Sequence, residues 1–521
     1  MLASVLFVGA IAACTPPASI TITLAPASGE LIVGGELVVA ITLTRSGGAA
    51  ADVVLAAAGL PAGVSAGFAP ATLSGVATTS TMTLSAAPSA TMGTTTVTVT
   101  ATGAGLSATR TFELNVTDLT VTGTVVGTFG QGLTGISVSI PGRPTVVTAA
   151  DGTFTIDGVS VPYDITIASS AEQWGNVFQG LTTSTPELFS LATSLSAVVL
   201  PTATVQGTLD ALVPAGHVTK VCVEGLDEAV YGCAGVSAGT DTYSITANWA
   251  GGGTTSIRVR AVEYSVVAFS EPVAVTGASA SAITPLTEGG VAVVDLVIGA
   301  PVAPSQFPVT VTTTFTPTEY LAGAITHLSP RFSLGLGLKS SLADPTITAL
   351  TPFFSGSTYS VIGGAFAAGN AQTLRWRTDL QPGDSVTIAA PTPPASTLPI
   401  DGATGASHAT TFSVGNPEGG VLNYMFSPRF DFTGPTFMVT TTATSVTIPD
   451  LTSLGLTLPA SSVYQWNVYG TSDTPDVDTA VTIGNLRGYV ELAYALSLGG
   501  PGPANDGVIA VSESREVTTL P

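Results

Sequence analysis

Apolar and polar residues alternate along much of this chain with a period of two. Residues 20–24 and 95–100 show the pattern clearly. A β-strand requires this period because successive side chains point to opposite faces. Gly, Pro and Ser interrupt these stretches at short intervals, as tight turns demand. The pattern therefore predicts an all-β fold of tandem β-sandwich modules.

The length of the chain indicates the number of modules, and its composition indicates their secondary structure. At about 100–150 residues per domain, 521 residues predict four or five domains. Charged residues make up 9% of the chain, compared with roughly 25% in an average soluble protein. Thr and Val favour strands, and Gly and Pro favour turns. These abundances agree with the all-β prediction.

The charge balance excludes one class of partner. The net charge is −21, from 34 acidic and 13 basic residues, and the only lysines are Lys220 and Lys339. A nucleic-acid-binding protein needs a basic face to displace counterions from phosphates. We therefore expect no nucleic-acid partner and no electrostatic docking onto anionic lipid.

The N-terminus is typical of an export signal. Residues 2–13 are mostly apolar, too short to span a bilayer but long enough for the apolar region of a signal peptide. The following Ile11-Ala12-Ala13-Cys14 resembles a bacterial lipobox, which implies cleavage before Cys14 and a lipid on its sulfur. Thr15 then favours the outer membrane, since inner-membrane-retained lipoproteins often carry Asp there. No Lys or Arg precedes the apolar run, although export signals normally carry one, which favours a true start upstream of Met1. The alternative to a lipoprotein signal is an ordinary secretory signal or a buried strand with a chance cysteine.

Cys222 and Cys233 are the other two cysteines of the chain. They lie in two short strand-like stretches separated by residues 225–228, which read as a turn. Export makes a disulfide between them chemically permissible. A zinc site is the alternative, but only His217 lies near in sequence and no fourth ligand is evident. We predict the disulfide.

The first two modules are predicted at residues 20–118 and 119–200, after a signal peptide at 1–13 and a lipidated tether at 14–19. Residues 59–64, 68–70 and 112–117 resemble bacterial immunoglobulin-like repeats. Residues 121–125, 135–140 and 150–159 resemble a carboxypeptidase-regulatory-like domain, a transthyretin-type sandwich. Asp151-Gly152 predicts a turn there, with Phe154 and Ile156 on one face.

Three further segments follow. Residues 201–302 are predicted as a β-sandwich, a possible second copy of the preceding module, and 303–395 as a β-rich domain. Residues 398–403, 446–451 and 464–469 resemble a fibronectin type III module, which we assign to 396–521. Tyr464, Trp466 and Val468 share one strand face and predict a core. The four prolines at 391, 393, 394 and 399 predict a stiff linker.

No motif predicts a catalytic site. The histidines His217, His327 and His408 stand in no metalloprotease-like arrangement. The Gly-x-Ser-x-Gly pattern around Ser65 and Ser237 lacks the helix that a nucleophile elbow requires. A hydrolase that uses Ser237, or one within residues 303–395, is the enzymatic alternative. We expect no enzyme activity and no cofactor.

Two other patterns were weighed as binding sites. Asp473, Asp476 and Asp478 are weak candidates for a Ca²⁺ site, but they lack the glycine and distal Glu of the EF-hand loop. We expect a solvated loop and no metal. The tryptophans at 174, 249, 376 and 466 are spread over different modules, which favours core packing over a sugar-stacking platform.

These expectations combine into one function. We predict a lipid-anchored cell-envelope protein, at the outer membrane or cell surface, that acts as a structural or adhesive stalk. Its partners would be the membrane, through the N-terminal lipid, and envelope proteins or glycans. The alternative is a carbohydrate-binding or accessory lipoprotein that works with a secreted enzyme.

Overall fold

The computed structural model describes residues 17–47, 51–127, 130–189, 201–249, 251–266, 272–299, 304–354, 356–429, 434–483, 485–497, 499 and 502–521. Within them the chain divides into two compact units. Of the described residues, the first unit contains those up to Val121 together with Ile156–Tyr163, and the second contains those of Thr122–Thr155 and those from Asp164 onward. The regular elements of the described residues are overwhelmingly β-strands, so the predicted all-β fold of tandem sandwiches is confirmed.

The first unit is a sandwich whose strands alternate buried and exposed side chains. Its strands are β1 (Ser19–Ala25), β2 (Ser28–Ile32), β3 (Glu36–Ser46), β4 (Val53–Ala58), β5 (Val64–Ala69), β6 (Thr72–Leu73), β7 (Thr79–Ala86), β8 (Gly93–Gly103) and β9 (Leu106–Thr117). One sheet has the order β1-β3-β7-β5 and the other β2-β9-β8-β4-β6. Between them lies a core that includes Ile41, Met82, Leu84, Val97 and Phe112. The strands predicted at 20–24 and 95–100 lie in β1 and β8.

The chain passes between the units three times, within β10, within β13 and at the start of β14. The strands up to residue 299 are β10 (Leu119–Val126), β11 (Ser137–Ser139), β12 (Val146–Val147), β13 (Thr153–Val159), β14 (Tyr163–Ser169), β15 (Trp174–Leu181), β16 (Glu187–Phe189), β17 (Thr202–Thr208), β18 (His217–Gly225), β19 (Val230–Tyr231), β20 (Cys233–Ser237), β21 (Thr242–Trp249), β22 (Thr254–Val266), β23 (Pro272–Ala280), β24 (Thr284–Thr287) and β25 (Val291–Val293). The predicted turn at Asp151-Gly152 is present, with Gly152 at φ 81° and an Ala149 carbonyl 3.0 Å from its N–H. Phe154 and Ile156 are both buried, as predicted.

The rest of the second unit adds strands and two helices. The strands are β26 (Pro304–Thr313), β27 (Glu319–Ser329), β28 (Phe332–Ser341), β29 (Thr346–Pro352), β30 (Thr358–Phe366), β31 (Gln372–Leu380), β32 (Val386–Ala390), β33 (Ala395–Leu398), β34 (Ala403–Ala406), β35 (Thr411–Gly415), β36 (Val421–Pro428), β37 (Thr436–Thr441), β38 (Ser445–Thr447), β39 (Val463–Thr471), β40 (Gly507–Val511) and β41 (Arg515–Thr519). The helices are α1 (Val477–Ile483) and α2 (Asn485–Ser497), with 3-10 turns at Ala368–Asn370 and Thr452–Leu454.

Strands from three of the predicted modules join one sheet. Among the described residues, fourteen strands pair in it, along the order β12-β11-β14-β15-β37-β36-β39-β40-β31-β30-β27-β28, with β41 also paired to β39 and β34 paired to β41. We call this the long sheet. The parallel pair β15–β37, from Trp174 opposite Thr436 to Phe178 opposite Thr440, links residues before 190 to the C-terminal segment. The antiparallel pair β31–β40 links residues 372–376 to the same segment.

Residues 202–299 form a separate sandwich beside the long sheet. Its sheets have the orders β19-β21-β17-β25 and β20-β18-β22-β23, with β24 also paired to β22. Val205, Val221, Ile245, Trp249 and Val259 are buried between them. Sheets β29-β26-β32 and β33-β35-β38 cover other parts of the long sheet. Each of these smaller sheets buries one face of the part of the long sheet that it covers.

The helices lie in the connection between β39 and β40, two adjacent strands of the long sheet. Leu492 and Ala495 of α2 share a buried cluster with Ile325, Ile362 and Trp376. Asp476 begins α1 as its N-cap, with the Thr479 N–H donating to its carboxylate at 2.7 Å. Sequence analysis did not predict these helices inside the fibronectin-like segment. Their apolar residues cover strands that come from a distant part of the chain.

The proline-rich stretch is not a free linker. Pro391, Pro393 and Pro394 are buried. The Thr373 hydroxyl donates to the Pro391 carbonyl at 2.8 Å, and Pro394 lies close to Gly470 of β39. The linker prediction is therefore wrong, because these rings fill space between β31 and β39 instead of separating two bodies.

The core of the C-terminal segment provides a stability test. Phe412 is buried and meets Phe426 and Trp466 edge-on, with ring centroids 4.7 and 5.3 Å away. We expect Phe412→Ala to lower the free energy of unfolding by about 3–5 kcal/mol, through lost burial and the cavity it leaves. Ile400→Ala is the matched control, because Ile400 is 69% exposed; its effect should stay within about 0.5 kcal/mol. Urea unfolding measures both, and equal effects would contradict the assigned core.

Candidate functional site

The predicted lipid anchor lies outside the described residues. Cys14, the signal peptide at 1–13 and residues 15–16 belong to the part of the chain about which nothing structural is stated. Within the described residues, no helix has the length and apolar character needed to cross a bilayer. The anchor therefore remains a prediction from the sequence.

Cys222 and Cys233 form a disulfide bond in the structure. They lie directly opposite each other in the antiparallel pair β18–β20. The chain turns between them, and the Val223 N–H donates to the Gly232 carbonyl at 2.9 Å. The predicted pairing of these cysteines is thus the one that the structure contains.

The disulfide lies on a face of β18 that contacts the rest of the second unit. Val221 and Val223 point into the core of their own sandwich. Cys222, by contrast, lies in a cluster with Val262, Phe332 and Leu334, of which the last two belong to β28. This contact, which we call the β18–β28 interface, joins the 202–299 sandwich to the long sheet.

A buried lysine forms hydrogen bonds across the β18–β28 interface. The Lys220 Nζ donates to the Gly335 carbonyl at 2.9 Å and to the Leu496 carbonyl at 2.6 Å. Leu496 lies in the last turn of α2, where carbonyls have no partner within the helix and a positive charge is favourable. Burial lowers the pKa of Lys220 from 10.5 to about 8. In the sequence Lys220 stands out only as one of two lysines, because nothing local marks it as buried.

Charged groups complete the same interface. The Arg260 Nε donates to the Glu224 carboxylate at 2.7 Å, and the Arg258 guanidinium lies 3.7 Å from it. Arg260 also lies over the Phe354 ring, 5.6 Å from the centroid. The Arg331 guanidinium donates to the Leu226 carbonyl at 3.1 Å. The Glu224 ion pairs join β18 to β22 within the sandwich. The contacts of Phe354 and Arg331 cross the interface and hold the sandwich against residues that flank β28 and β29.

The three aspartates considered for a Ca²⁺ site each bind a different group of the protein. Asp473 accepts from both terminal nitrogens of Arg375, at 3.0 and 3.1 Å. Asp476 caps α1, and Asp478 accepts from the backbone N–H groups of Thr182 and Thr183 at 2.8 and 3.0 Å. The three carboxylates therefore have three different sets of partners and do not share a common ligand position.

No metal-binding cluster was found in the part of the chain that the structure describes. No group of three or more His, Cys, Asp or Glu side chains there is arranged to hold a metal ion. Asp478 instead joins α1 to the end of β15, across 296 residues of sequence. Asp473 thus forms an ion pair, Asp476 caps a helix, and Asp478 binds backbone N–H groups of a distant segment.

His327 forms a buried polar cluster that the sequence did not indicate. Its Nδ1 lies 2.7 Å from the Ser333 hydroxyl on β28, and its Nε2 lies 2.6 Å from the Ser360 hydroxyl on β30. Burial lowers the pKa of His327 to about 4, and the nearby Asp379 carboxylate offsets part of this effect. The neutral ring donates one hydrogen bond and accepts the other. It therefore joins three adjacent strands.

A cavity of about 540 Å³ lies beside this cluster. Its lining includes His327, Ser333, Thr358, Asp379 and Gly502. Gly502 lies so close to the imidazole that an added Cβ would come within 2.5 Å of the ring. Ser333 and Ser360 are buried, so neither hydroxyl is presented to solvent as a nucleophile. The arrangement supports strand pairing more than catalysis.

The other residues weighed for catalysis lie in ordinary strand contexts. Ser65 is inside β5, paired with Ser85 of β7, and Ser237 is the last residue of β20. The elements that follow them are strands, so the prediction that neither begins a helix is confirmed. The His408 Nδ1 contacts the Ile448 carbonyl at 3.0 Å, and the His217 Nδ1 contacts the Ala215 carbonyl at 3.2 Å.

All four tryptophans are buried, which confirms the core-packing prediction. Their positions are Trp174, Trp249, Trp376 and Trp466. Tyr464 and Val468 are buried on the same face as Trp466, as the alternation predicted. None of the tryptophans is available as an exposed platform for stacking a sugar ring.

Comparison with known proteins gives no family. No family model matches the chain, and no curated protein matches it. Among solved structures, the Bacillus anthracis TIE protein aligns over 71% of this chain and 74% of its own, at 8% identity and a TM-score of 0.19. Domains 5-6 of the S-layer protein SbsC align over 46% of this chain and 88% of theirs, at 12% identity and a TM-score of 0.15. The pilus adhesin SpaC of Lactobacillus rhamnosus GG aligns over 65% and 55%, at 10% identity and a TM-score of 0.15. Alignments this weak transfer no function to this chain.

The lowered pKa of His327 predicts a pH dependence of stability. Between about pH 6.5 and 4 the unfolded chain binds a proton on this ring that the folded chain does not bind. Its stabilising contribution is therefore complete above pH 6.5 and is lost as the pH falls through that window. We expect the melting temperature of the natural chain to fall more steeply over this range than that of His327→Gln, which does not titrate. Calorimetry with His217→Gln as the control measures this, and identical slopes for all three proteins would refute it.

Lys220 predicts a dependence of the same sign at alkaline pH. From about pH 8 to 10.5 the unfolded chain holds a proton that the folded Lys220 has lost, so its contribution makes the protein more stable as the pH rises. We expect the free energy of unfolding of the natural chain to rise, relative to Lys220→Met, across this window. Lys339→Met replaces the other lysine and should retain the natural dependence. Denaturant titrations at several pH values measure it, and parallel curves for the natural chain and Lys220→Met would count against the assignment.

Proposed function

We propose that this chain is a lipid-anchored cell-envelope protein with a structural or adhesive role. The lipid on Cys14 holds it at the membrane. The first unit follows the anchor in the chain and serves as a spacer. The second unit is the body that is displayed at the outer membrane or cell surface.

The long sheet is the observation that carries this proposal. Backbone hydrogen bonds of β15–β37 and β31–β40 join segments that are far apart in sequence. Separating these segments would break whole ladders of hydrogen bonds in one step, and not only side-chain contacts. The β18–β28 interface fixes the 202–299 sandwich to the same sheet. Such a body resists deformation, as a load-bearing envelope component requires.

Surface chemistry supports the same role. Thr94, Thr96 and Thr102 are exposed on β8, and Thr109 and Thr111 are exposed on β9. These short hydroxyl side chains line a face of the first unit with few charges. Together with the net charge of −21, they favour a solvated display surface over a nucleic-acid or anionic-lipid contact.

The carbohydrate-binding alternative is less well supported. Burial of all four tryptophans removes the indole rings that would stack on a sugar. A hydrolase is also less well supported, because the serines beside His327 are buried. We therefore place the structural or adhesive role first.

Substitution of the anchor tests the proposal. We expect the full chain, expressed in a bacterium with a lipoprotein pathway, to incorporate a fatty-acid label and to sediment with membranes. Cys14→Ser should lose the label and move to the soluble fraction, because its oxygen cannot enter the thioether that holds the diacylglycerol. Thr15→Ser is the matched control and should behave as the natural chain does.

The functional half is tested in cells that lack the protein. We expect weaker surface attachment or greater sensitivity to detergent, restored by the natural chain but not by Cys14→Ser. If cells without the protein match the parent in both assays, the structural or adhesive role is wrong. If Cys14→Ser still sediments with membranes, the anchor is wrong while the role of the body stays open to test.

A further inference from the structure

Strand β25 is an edge strand of the 202–299 sandwich. It lies at the end of the sheet β19-β21-β17-β25 and pairs in parallel with β17. The pairing continues beyond the strand itself, because the Val294 N–H donates to the Gln206 carbonyl and the Leu296 N–H to the Thr208 carbonyl, at 2.8 and 2.9 Å. An extended run from Val291 to Val297 therefore lies along one side of β17.

The other side of this run carries backbone groups that point away from β17. In an extended strand, successive residues direct their N–H and C=O groups to opposite sides. The bonds to β17 come from Gly290, Val294 and Leu296. The odd-numbered residues of the run therefore direct theirs to the outer edge. Among the described strands, β25 has a ladder partner on the β17 side only.

The side chains of this edge are unusually apolar for an exposed strand. Val291, Val293 and Val297 are 62%, 66% and 69% exposed. Natural sheets protect open edges with Lys, Pro, bulges or a covering segment, because unpaired edges accept foreign strands. Residues 291–297 contain neither Lys nor Pro. As far as the described residues show, this edge is therefore open to strand addition.

The charges along this edge have one sign. Asp295 follows β25 and accepts from the Thr208 N–H at 2.9 Å, and Glu288 precedes β25. Asp210 accepts from the Ile298 N–H at 2.9 Å. The strands of this sheet carry no Lys or Arg. A second copy of the chain would bring more acidic groups to the same place, whereas a basic segment would be attracted.

We propose that β25 is the docking site for an extended, apolar segment with basic flanks in a partner protein, which adds to the sheet as a new strand. Main-chain hydrogen bonds to the outer edge supply affinity. The exposed valines favour a partner segment with apolar side chains at every second position. The acidic groups beside the strand select Lys or Arg at the ends of the segment. The inference names a partner for the proposed adhesive role and rests on it.

A synthetic peptide tests the docking site on the purified full chain. The probe is a fluorescent peptide of alternating Val and Thr with two lysines at each end, measured by fluorescence anisotropy at low salt. We expect it to bind, and to bind at least tenfold more weakly when alternate amides are N-methylated, since N-methylation removes strand donors but keeps the side chains. Replacement of its lysines by Glu should weaken binding by a similar factor, and added salt should weaken binding of the lysine peptide.

Variants of the chain locate the contact. Val293→Pro removes an outward N–H without removing a bond to β17, and should weaken binding at least tenfold. Val293→Thr keeps the shape of the side chain but removes apolar surface, and should weaken binding several-fold if the proline variant fails to fold. Val38→Thr is the matched control, because Val38 is 57% exposed on a strand face of the first unit. It should bind as the natural chain does.

Several results would overturn the proposal. Equal binding of the N-methylated peptide would exclude strand addition, and equal binding by Val293→Pro and Val293→Thr would place the contact elsewhere. Absence of binding at about 1 mM peptide would exclude a usable affinity. A dimer in light scattering that Val293→Pro dissociates would show that a second copy occupies the edge. None of these results depends on the lipid anchor, so failure here is distinguishable from failure of the proposed function.

Discussion

The long sheet is the constraint on which the rest of the second unit depends. Its ladder of backbone hydrogen bonds takes strands from before residue 190, from 319–380 and from 403–519. Sheets and helix α2 then cover parts of its faces, with aromatic residues such as Trp376 and Trp466 buried beneath them. Because a strand within a sheet must satisfy its polar backbone on both sides, none of these segments can leave without exposing unpaired groups of its neighbour. One ladder of backbone hydrogen bonds therefore connects the described strands of segments that look separate in sequence.

Polar interactions then decide how the covering elements sit on that sheet. Lys220 satisfies a carbonyl at the end of α2, and Arg331 donates to the Leu226 carbonyl nearby. His327 joins three strands close to Gly502, beyond the same helix. Each buried group is costly when unpaired, so its partners admit few alternative arrangements. The apolar surface drives this association, while the buried polar groups give it a single geometry.

The two sheets of the 202–299 sandwich differ in what they contact. In the 202–299 sandwich, the sheet that contains β18 and β22 is held against β28, which buries one of its faces. The opposite sheet ends at β25, with Val291 and Val293 exposed. A strand whose backbone is only half paired can accept another strand without any rearrangement of the body behind it. A firm body with an accessible edge suits a protein that must hold its position and make contacts.

The sequence by itself determined the local features. Its period of two located the strands, placed Tyr464, Trp466 and Val468 on one buried face and excluded a nucleophile elbow at Ser65 and Ser237. The spacing of Cys222 and Cys233 across a turn was enough to predict their pairing. Only the tertiary structure decided that β15 pairs with β37, that the prolines near 391 are buried, and that Lys220 and His327 lie inside the protein. The period of the apolar residues and the residue types of turns depend on neighbours in sequence. These tertiary contacts join residues too far apart to leave a local pattern, as with Thr182 and Asp478, which are 296 positions apart.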